Sequence, residues 1–294
     1  MRRIRLSSPA KLNLFLKVLN KRPDGFHNIS TVFERIDLSD EIRLRLNSSG
    51  AIRIDCTHLQ VPRGPKNLVY QAAKLLRDDF HIKEGVNIHI KKNIPVAAGL
   101  GGGSSNAATV LKGLNELWKL RMSRSQLLSY ARRLGSDVAF FLYDCPWALG
   151  TQRGDLIQKL DIKTKLWHVL VVPCVKIYSG QVYGGLGLRS GPGAPRKVLT
   201  KRNDNASIFI HHLRHSDVTQ IGKSLVNDLE RVVLLLVPHL EKLEQRLKSL
   251  DTEGVMISGS GPCVFAVTKT QQQAKDIQRI LSRRFSRVFV AKTL

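Results

Sequence analysis

Residues 95–108 read PVAAGLGGGSSNAA, and this stretch decides what kind of domain surrounds it. It follows a segment with strand character, 86–92 (VNIHIKK), and runs into 104–118 (SSNAATVLKGLNELW), whose apolar residues recur at helical spacing. Glycines at 99, 101, 102 and 103 let the backbone approach a ligand closely and turn its N–H groups inward. The helix behind adds free N-terminal donors and a positive dipole end, where phosphate is best held. Pro95, Gly99, Leu100, Gly101, Gly102 and Gly103 therefore read as a phosphate loop, with the Ser104 and Ser105 hydroxyls as candidate contacts to a phosphate or its magnesium ion. No lysine stands where a Walker A loop requires one. The glycine pattern also lacks the third glycine and the downstream acid of a dinucleotide fingerprint.

Working outward, 4–18 and 41–56 alternate apolar with polar residues as strands do, and RPDG at 22–25 is a turn. The strand period of two puts Lys11 and Asn13 on one side. A helix is expected over 67–82 with Asn67 as N-cap, and another over 123–134, capped by Ser123 and stopped by Gly135. Asp137, in LGSDV, reads equally as a helix cap or a functional carboxylate. The second half predicts a strand at 166–173, a Gly, Pro and basic loop at 184–203, and helices at 219–237 and 239–250. It ends in strand 254–258, strand 262–268, helix 270–284 and strand 286–292, an α+β pattern. The glycine turn Ser258–Gly261 suits either a hairpin or a ligand.

The chain has 294 residues, enough for two domains, and a net charge of +24. Such a charge favours anionic partners, but the cations are spread along the chain, and nucleic-acid motifs are missing. Specific nucleic-acid binding is not expected. Cys56, Cys145, Cys174 and Cys263 lie far apart and read as buried small hydrophobes of a reducing compartment. No apolar run reaches bilayer length, so no membrane partner and a cytoplasmic location are expected. His211, His212 and His215 lack a completing acid or thiol, and no metal site is assigned.

Together SPAKLNLFL at 8–16, RPDGFH at 22–27, GLGGGSSNAA at 99–108, LGSDV at 134–138, NDLE at 227–230 and SGSGPCVFA at 258–266 resemble the GHMP kinase superfamily over essentially the whole chain. The resemblance implies an α+β fold with a ribosomal-protein-S5-like N-terminal domain, 1–158, and a ferredoxin-like C-terminal domain, 159–294. It implies transfer of phosphate from ATP, with Mg2+, to an alcohol by a monomer or homodimer. The pairing of SPAKLNL with DGFH narrows the acceptor to a cytidyl diphosphate sugar alcohol. Under the resemblance Lys11 and Asp137 are the catalytic pair, with Asp137 taking the hydroxyl proton. Phe26 and Tyr183 sandwich the cytosine, His27 reads its edge, Asn13 positions the alcohol, and Asn67 lies near the adenine. Three positions depart from the family pattern: Ala139 where proline is frequent, Asp155 for glutamate, and Lys66 for aspartate.

Overall fold

The computed structural model describes residues 2–187 and 206–294. Two long strands open the chain, β1 (Arg3–Lys21) and β2 (His27–Asn47), paired antiparallel across the turn at 22–25. Then follow β3 (Ile52–Cys56), α1 (Leu68–Asp79), β4 (Gly85–Lys91), α2 (Gly102–Leu117), α3 (Arg124–Leu134), the short α4 (Val138–Phe141), β5 (Trp147–Thr151) and β6 (Leu156–Lys159). These strands form one sheet in the order β3-β4-β2-β1, with β5 pairing β2 and β6. Continuing, β7 (Trp167–Val171), α5 (Ser179–Gly184) and a 3-10 turn (Gly185–Gly187) precede α6 (Ala206–Arg214) and α7 (Val218–Lys223). The two-residue β8 (Val226–Asn227) returns to the first sheet beside β1, across the division expected at 158/159. Last come α8 (Glu230–Leu236), α9 (His239–Lys248), β9 (Gly254–Ile257), β10 (Val264–Thr268), α10 (Gln271–Leu281) and β11 (Val288–Lys292). The second sheet runs β11-β7-β10-β9, so the expected β-β-α-β ending is present.

Three expectations are corrected. The strand foreseen at 41–56 is two strands, because the Asn47 side chain accepts from the Ser49 backbone and Gly50 takes φ +68°, which reverses the chain. It also begins earlier, since β2 starts at His27. The helix foreseen at 219–237 is broken at 226–227, where Asn227 turns its side chain to the Leu229 N–H and starts α8 instead. The loop foreseen at 184–203 lies, from 188 onward, outside the described residues. Cys174 is exposed, whereas Cys56, Cys145 and Cys263 are buried as expected.

Burial explains the layering. The inward residues of β2 and β4, among them Ile42, Leu44, Val86 and Ile88, join Val110 and Leu111 of α2 in one core. Fully burying each such side chain stabilises by about 1.5–3 kcal/mol. Gly113 lets α2 sit this close, since a Cβ there would stand 2.5 Å from Leu44 Cδ1. A second core lies between the sheets and includes Phe15, Trp147 and Phe265. There Glu34 of β2 meets His168 of β7 at 2.8 Å, both fully buried, and Thr293 donates to the same carboxylate. Separating them would strand buried polar groups, which ties the two sheets together.

Candidate active site

The glycine loop sits where β1, α2 and the Ser258–Gly261 turn converge. Gly101 adopts φ +68° at the N-cap of α2, and Gly99 has φ +76°. A Cβ on Gly99 would meet the Ser258 carbonyl oxygen at 2.2 Å, and one on Gly101 would stand 2.9 Å from Lys11 Cγ. Both positions thus need glycine for conformation and for room. No side chain caps α2, and the Ser105 N–H already donates to the Gly101 carbonyl at 2.9 Å. The N–H groups of Gly102, Gly103 and Ser104 therefore lack helical acceptors, as a phosphate-binding terminus requires.

Behind the loop is a buried polar brace that the sequence did not announce. The Asp40 carboxylate is reached by the Lys92 ammonium, by the Asn93 and Ile94 N–H groups at 2.7 and 2.8 Å, and by Asn106 Nδ2 at 2.9 Å. Asn106 also donates to Ser8 Oγ, which contacts Ser105 Oγ at 2.8 Å. This corrects one assignment. Ser105 is fully buried and spends its hydroxyl on Ser8, so it does not reach the cavity, whereas Ser104 lines it. The α2 periodicity places consecutive serines on different faces, and the inward one became part of the brace.

Lys11, buried on β1, gives its backbone N–H to the Leu100 carbonyl at 3.0 Å. Its ammonium donates to Asn13 Oδ1 and lies 3.5 Å from the Asp137 carboxylate. Asn13 Nδ2 in turn donates to Thr31 Oγ1 at 2.8 Å, which fixes the amide orientation. Asp137 stands at the N-cap position of α4 but makes no capping hydrogen bond; its carboxylate faces Lys11 instead. Asn67 caps α1 through the Val69 N–H and donates to the Pro62 carbonyl, so its side chain is spent on the cavity wall. Ala139 is buried in α4, Asp155 holds Arg153 at 2.7 Å, and Lys66 lines the cavity.

Two cavities meet here. One of about 450 Å³ holds Lys11, Asp137, Pro95, Asn67 and the glycine loop. The other, about 880 Å³, contains Phe26, His27 and Asp228. Both are bordered by Ser136, Arg153, Ser179 and Tyr183, so they communicate. The expected ring pair is arranged differently from a simple Phe26–Tyr183 sandwich. Tyr183 stacks on His27 with centroids 5.5 Å apart, while the Arg153 guanidinium lies 5.1 Å over the exposed Phe26 ring. Burial, then Lys21, lowers the His27 pKa and keeps the ring neutral near pH 7. Burial, then the Asp137 charge, pushes the Tyr183 phenol upward, so it stays protonated.

The Ser258–Gly261 turn proves to be part of the cleft. Ser258 Oγ donates to the Gly99 carbonyl at 3.2 Å, and Asn227 Nδ2 clamps the Ile257 and Gly259 carbonyls at 2.9 and 2.8 Å. Arg153, Asp40 and Lys92 were missed in the sequence because each is a single polar residue outside any motif, and Asn227 was noted only as the start of NDLE, without a role.

The description of the GHMP kinases N-terminal domain matches residues 67–145, and that of the GHMP kinases C-terminal domain matches 209–287. The 4-diphosphocytidyl-2-C-methyl-D-erythritol kinase of Exiguobacterium sibiricum is 39% identical over 98% of this chain and 97% of its own. The chain is a GHMP kinase of that family. The Geobacillus kaustophilus kinase of the same name is 37% identical over 99% of this chain and 97% of its own. A crystal structure of 4-(cytidine 5'-diphospho)-2C-methyl-D-erythritol kinase superposes with a TM-score of 0.77 at 29% identity, covering 98% of both chains. Homoserine kinase from Cytophaga hutchinsonii shares the fold at a TM-score of 0.76 and 20% identity, over 99% of this chain and 94% of its own. This GHMP kinase therefore has the α+β architecture that its motifs imply, and the family uses ATP. Among the described residues no helix is long and apolar enough to cross a membrane.

Proposed function

We infer that this chain transfers the γ-phosphoryl group of ATP to the 2-hydroxyl of 4-diphosphocytidyl-2-C-methyl-D-erythritol, giving the 2-phosphate and ADP. The observation that carries this reading is the meeting of the two cavities beside Lys11 and Asp137, which are 3.5 Å apart. One cavity offers uncapped N–H groups for a triphosphate, and the other offers aromatic faces for a base.

The acceptor hydroxyl attacks the γ-phosphorus, the bond to the β,γ-bridging oxygen breaks, and the hydroxyl proton passes to the Asp137 carboxylate. Lys11, 3.5 Å from that carboxylate, steadies the oxygen as its charge grows. Asn13, held by Thr31, orients the alcohol. Gly99, Gly101, Gly102, Gly103 and the Ser104 backbone cradle the phosphates, with Pro95, Leu100 and Asn67 forming the wall toward the adenine. Phe26, His27 and Tyr183 take the cytosine. The Ser104 hydroxyl, which lines the cavity, is an oxygen donor of the kind that would hold Mg2+, and the ion would offset phosphate charge. The division into 1–158 and 159–294, cytoplasmic location, and a monomeric or homodimeric state belong to the same proposal.

ADP release from ATP and magnesium tests it, with the cytidyl compound beside galactose, homoserine and mevalonate. Turnover with the cytidyl compound alone is the expected result. Turnover with another alcohol instead overturns the cytosine assignment, and turnover with none overturns the acceptor class.

A further inference from the structure

Where β1 starts and β2 ends, the first sheet carries α1 and α2 on one face, and the side chains of the other face are exposed. The strand register assembles on it cations that are far apart in sequence. One rank runs Arg3, Arg45, Asn87, Arg53 across β1, β2, β4 and β3, the next Arg5, Arg43, His89, Asp55, and the third Ser7, Glu41, Lys91. Every arginine in these ranks and Lys91 are exposed, while the alternating Ile42, Leu44, Ile54, Ile88 and Ile90 point to the helices. Six cations thus share the face with two carboxylates. Glu41 bridges Arg5 and Arg43, and Asp55 holds His89 at 2.9 Å and Arg63 at 3.7 Å.

Register sets like charges opposite one another. Arg3 stands directly opposite Arg45, and Arg5 opposite Arg43 with Glu41 bridging that second pair; like charges at such cross-strand positions destabilise a sheet unless a carboxylate intervenes. A solvated surface would gain as much from scattered charge of mixed sign. Adjacent strands are about 4.8 Å apart and alternate residues along a strand about 6.7 Å, so the guanidinium groups form a lattice suited to a row of phosphates. Strands β1 to β4 carry no Phe, Tyr or Trp in these ranks, and no apolar side chain rises from them to enter a bilayer. A face four strands wide cannot enter the duplex major groove, which admits a helix or a two-stranded ribbon.

We propose that this face binds a single-stranded polynucleotide through its phosphates, without sequence preference. The site is separate from the kinase cleft and stands whether or not the acceptor assignment above holds.

Fluorescence anisotropy of a labelled 20-nucleotide oligouridylate with the full chain tests it. Binding at 50 mM salt should weaken on a log–log plot with a slope of about −3.5, if about five phosphates are neutralised at roughly 0.7 each. The variant Arg43→Gln/Arg45→Gln/Arg53→Gln should lose at least tenfold in affinity and flatten the slope by about 2. Lys242→Gln/Arg246→Gln/Arg283→Gln removes equal charge from the other lobe and should stay within twofold of the parent. Should the first variant fail to fold, read as loss of kinase turnover, Arg3→Gln/Arg5→Gln carries the same test with a slope change of about 1.4. Equal losses in the two triple variants would overturn the proposal, because affinity would then follow net charge rather than this face. No binding at 50 mM salt would overturn it too, as would capture by vesicles of 30% anionic lipid in preference to the oligonucleotide.

Discussion

Strand β1 carries cations at its start and at its middle and treats them in opposite ways. At residue 11, in the cleft, Lys11 is buried, meets Asn13 and faces the carboxylate of Asp137. At residues 3 and 5, on the open face, the guanidinium groups are exposed and stand opposite other arginines. Lys92 repeats the first pattern, buried against Asp40 beside the glycine loop. A buried cation must be matched, since desolvation is costly, whereas an exposed one is screened and tolerates a like neighbour. The comparison separates buried charge that holds the cleft together from exposed charge on a face where cations outnumber carboxylates.

The largest expected effect tests the buried, matched cation. Asp137→Asn should lower turnover by about 10²–10⁴ while ATP binding, followed by calorimetry, stays near the parent value. Unchanged turnover would remove Asp137 from the mechanism. The brace comes next: Asp40→Asn leaves the Lys92 ammonium buried without its carboxylate and should cost about 3–5 kcal/mol in urea unfolding. A loss below 1 kcal/mol would mean that Lys92 escapes to water and that burial does not enforce matching here.

Phe26→Ala should raise KM for the cytidyl substrate roughly tenfold, the worth of one stacked base at about 1–3 kcal/mol, with KM for ATP unchanged. Equal changes for both substrates would break the assignment of the second cavity.

A buried carboxyl beside a half-buried one sharpens the comparison. Burial first, and Glu230 next, push the Glu244 carboxyl up to about 8, so the folded protein retains a proton that the unfolded chain releases near 4.5. The stability from that proton is present below about pH 4.5 and is lost as pH rises toward 8. Glu244→Gln should therefore raise Tm at pH 8 by about 2–4 °C and leave it unchanged at pH 4, a difference of about 1 kcal/mol. The smallest effect is expected at the open face, where Arg43→Gln should shift stability by no more than about 0.5 kcal/mol and leave kinase turnover intact.

Much of the cleft was legible in the chain. Glycines 99, 101, 102 and 103 announce a close backbone approach, and the period of two places Lys11 with Asn13. These are local facts, set by backbone sterics within a few residues. The β-β-α-β ending is local in the same sense. Asn47 and Asn227 were less transparent, because each redirects the backbone through its own side chain against the surrounding apolar pattern.

By itself the sequence determined the elements that depend on near neighbours: the phosphate loop, the capped helices α1 and α3, and the family to which the motifs belong. Tertiary structure alone decided what depends on distant partners. It turned Ser105 inward to Ser8, gave the Asp137 carboxylate to Lys11 rather than to a helix cap, and set Tyr183 on His27. It also gathered Arg3, Arg5, Arg43, Arg45 and Arg53, spread over fifty residues of chain, onto one face by strand register. Hydrogen bonds and charges act over a few ångströms of space, and composition carries no information about which distant residues the register will bring within that range.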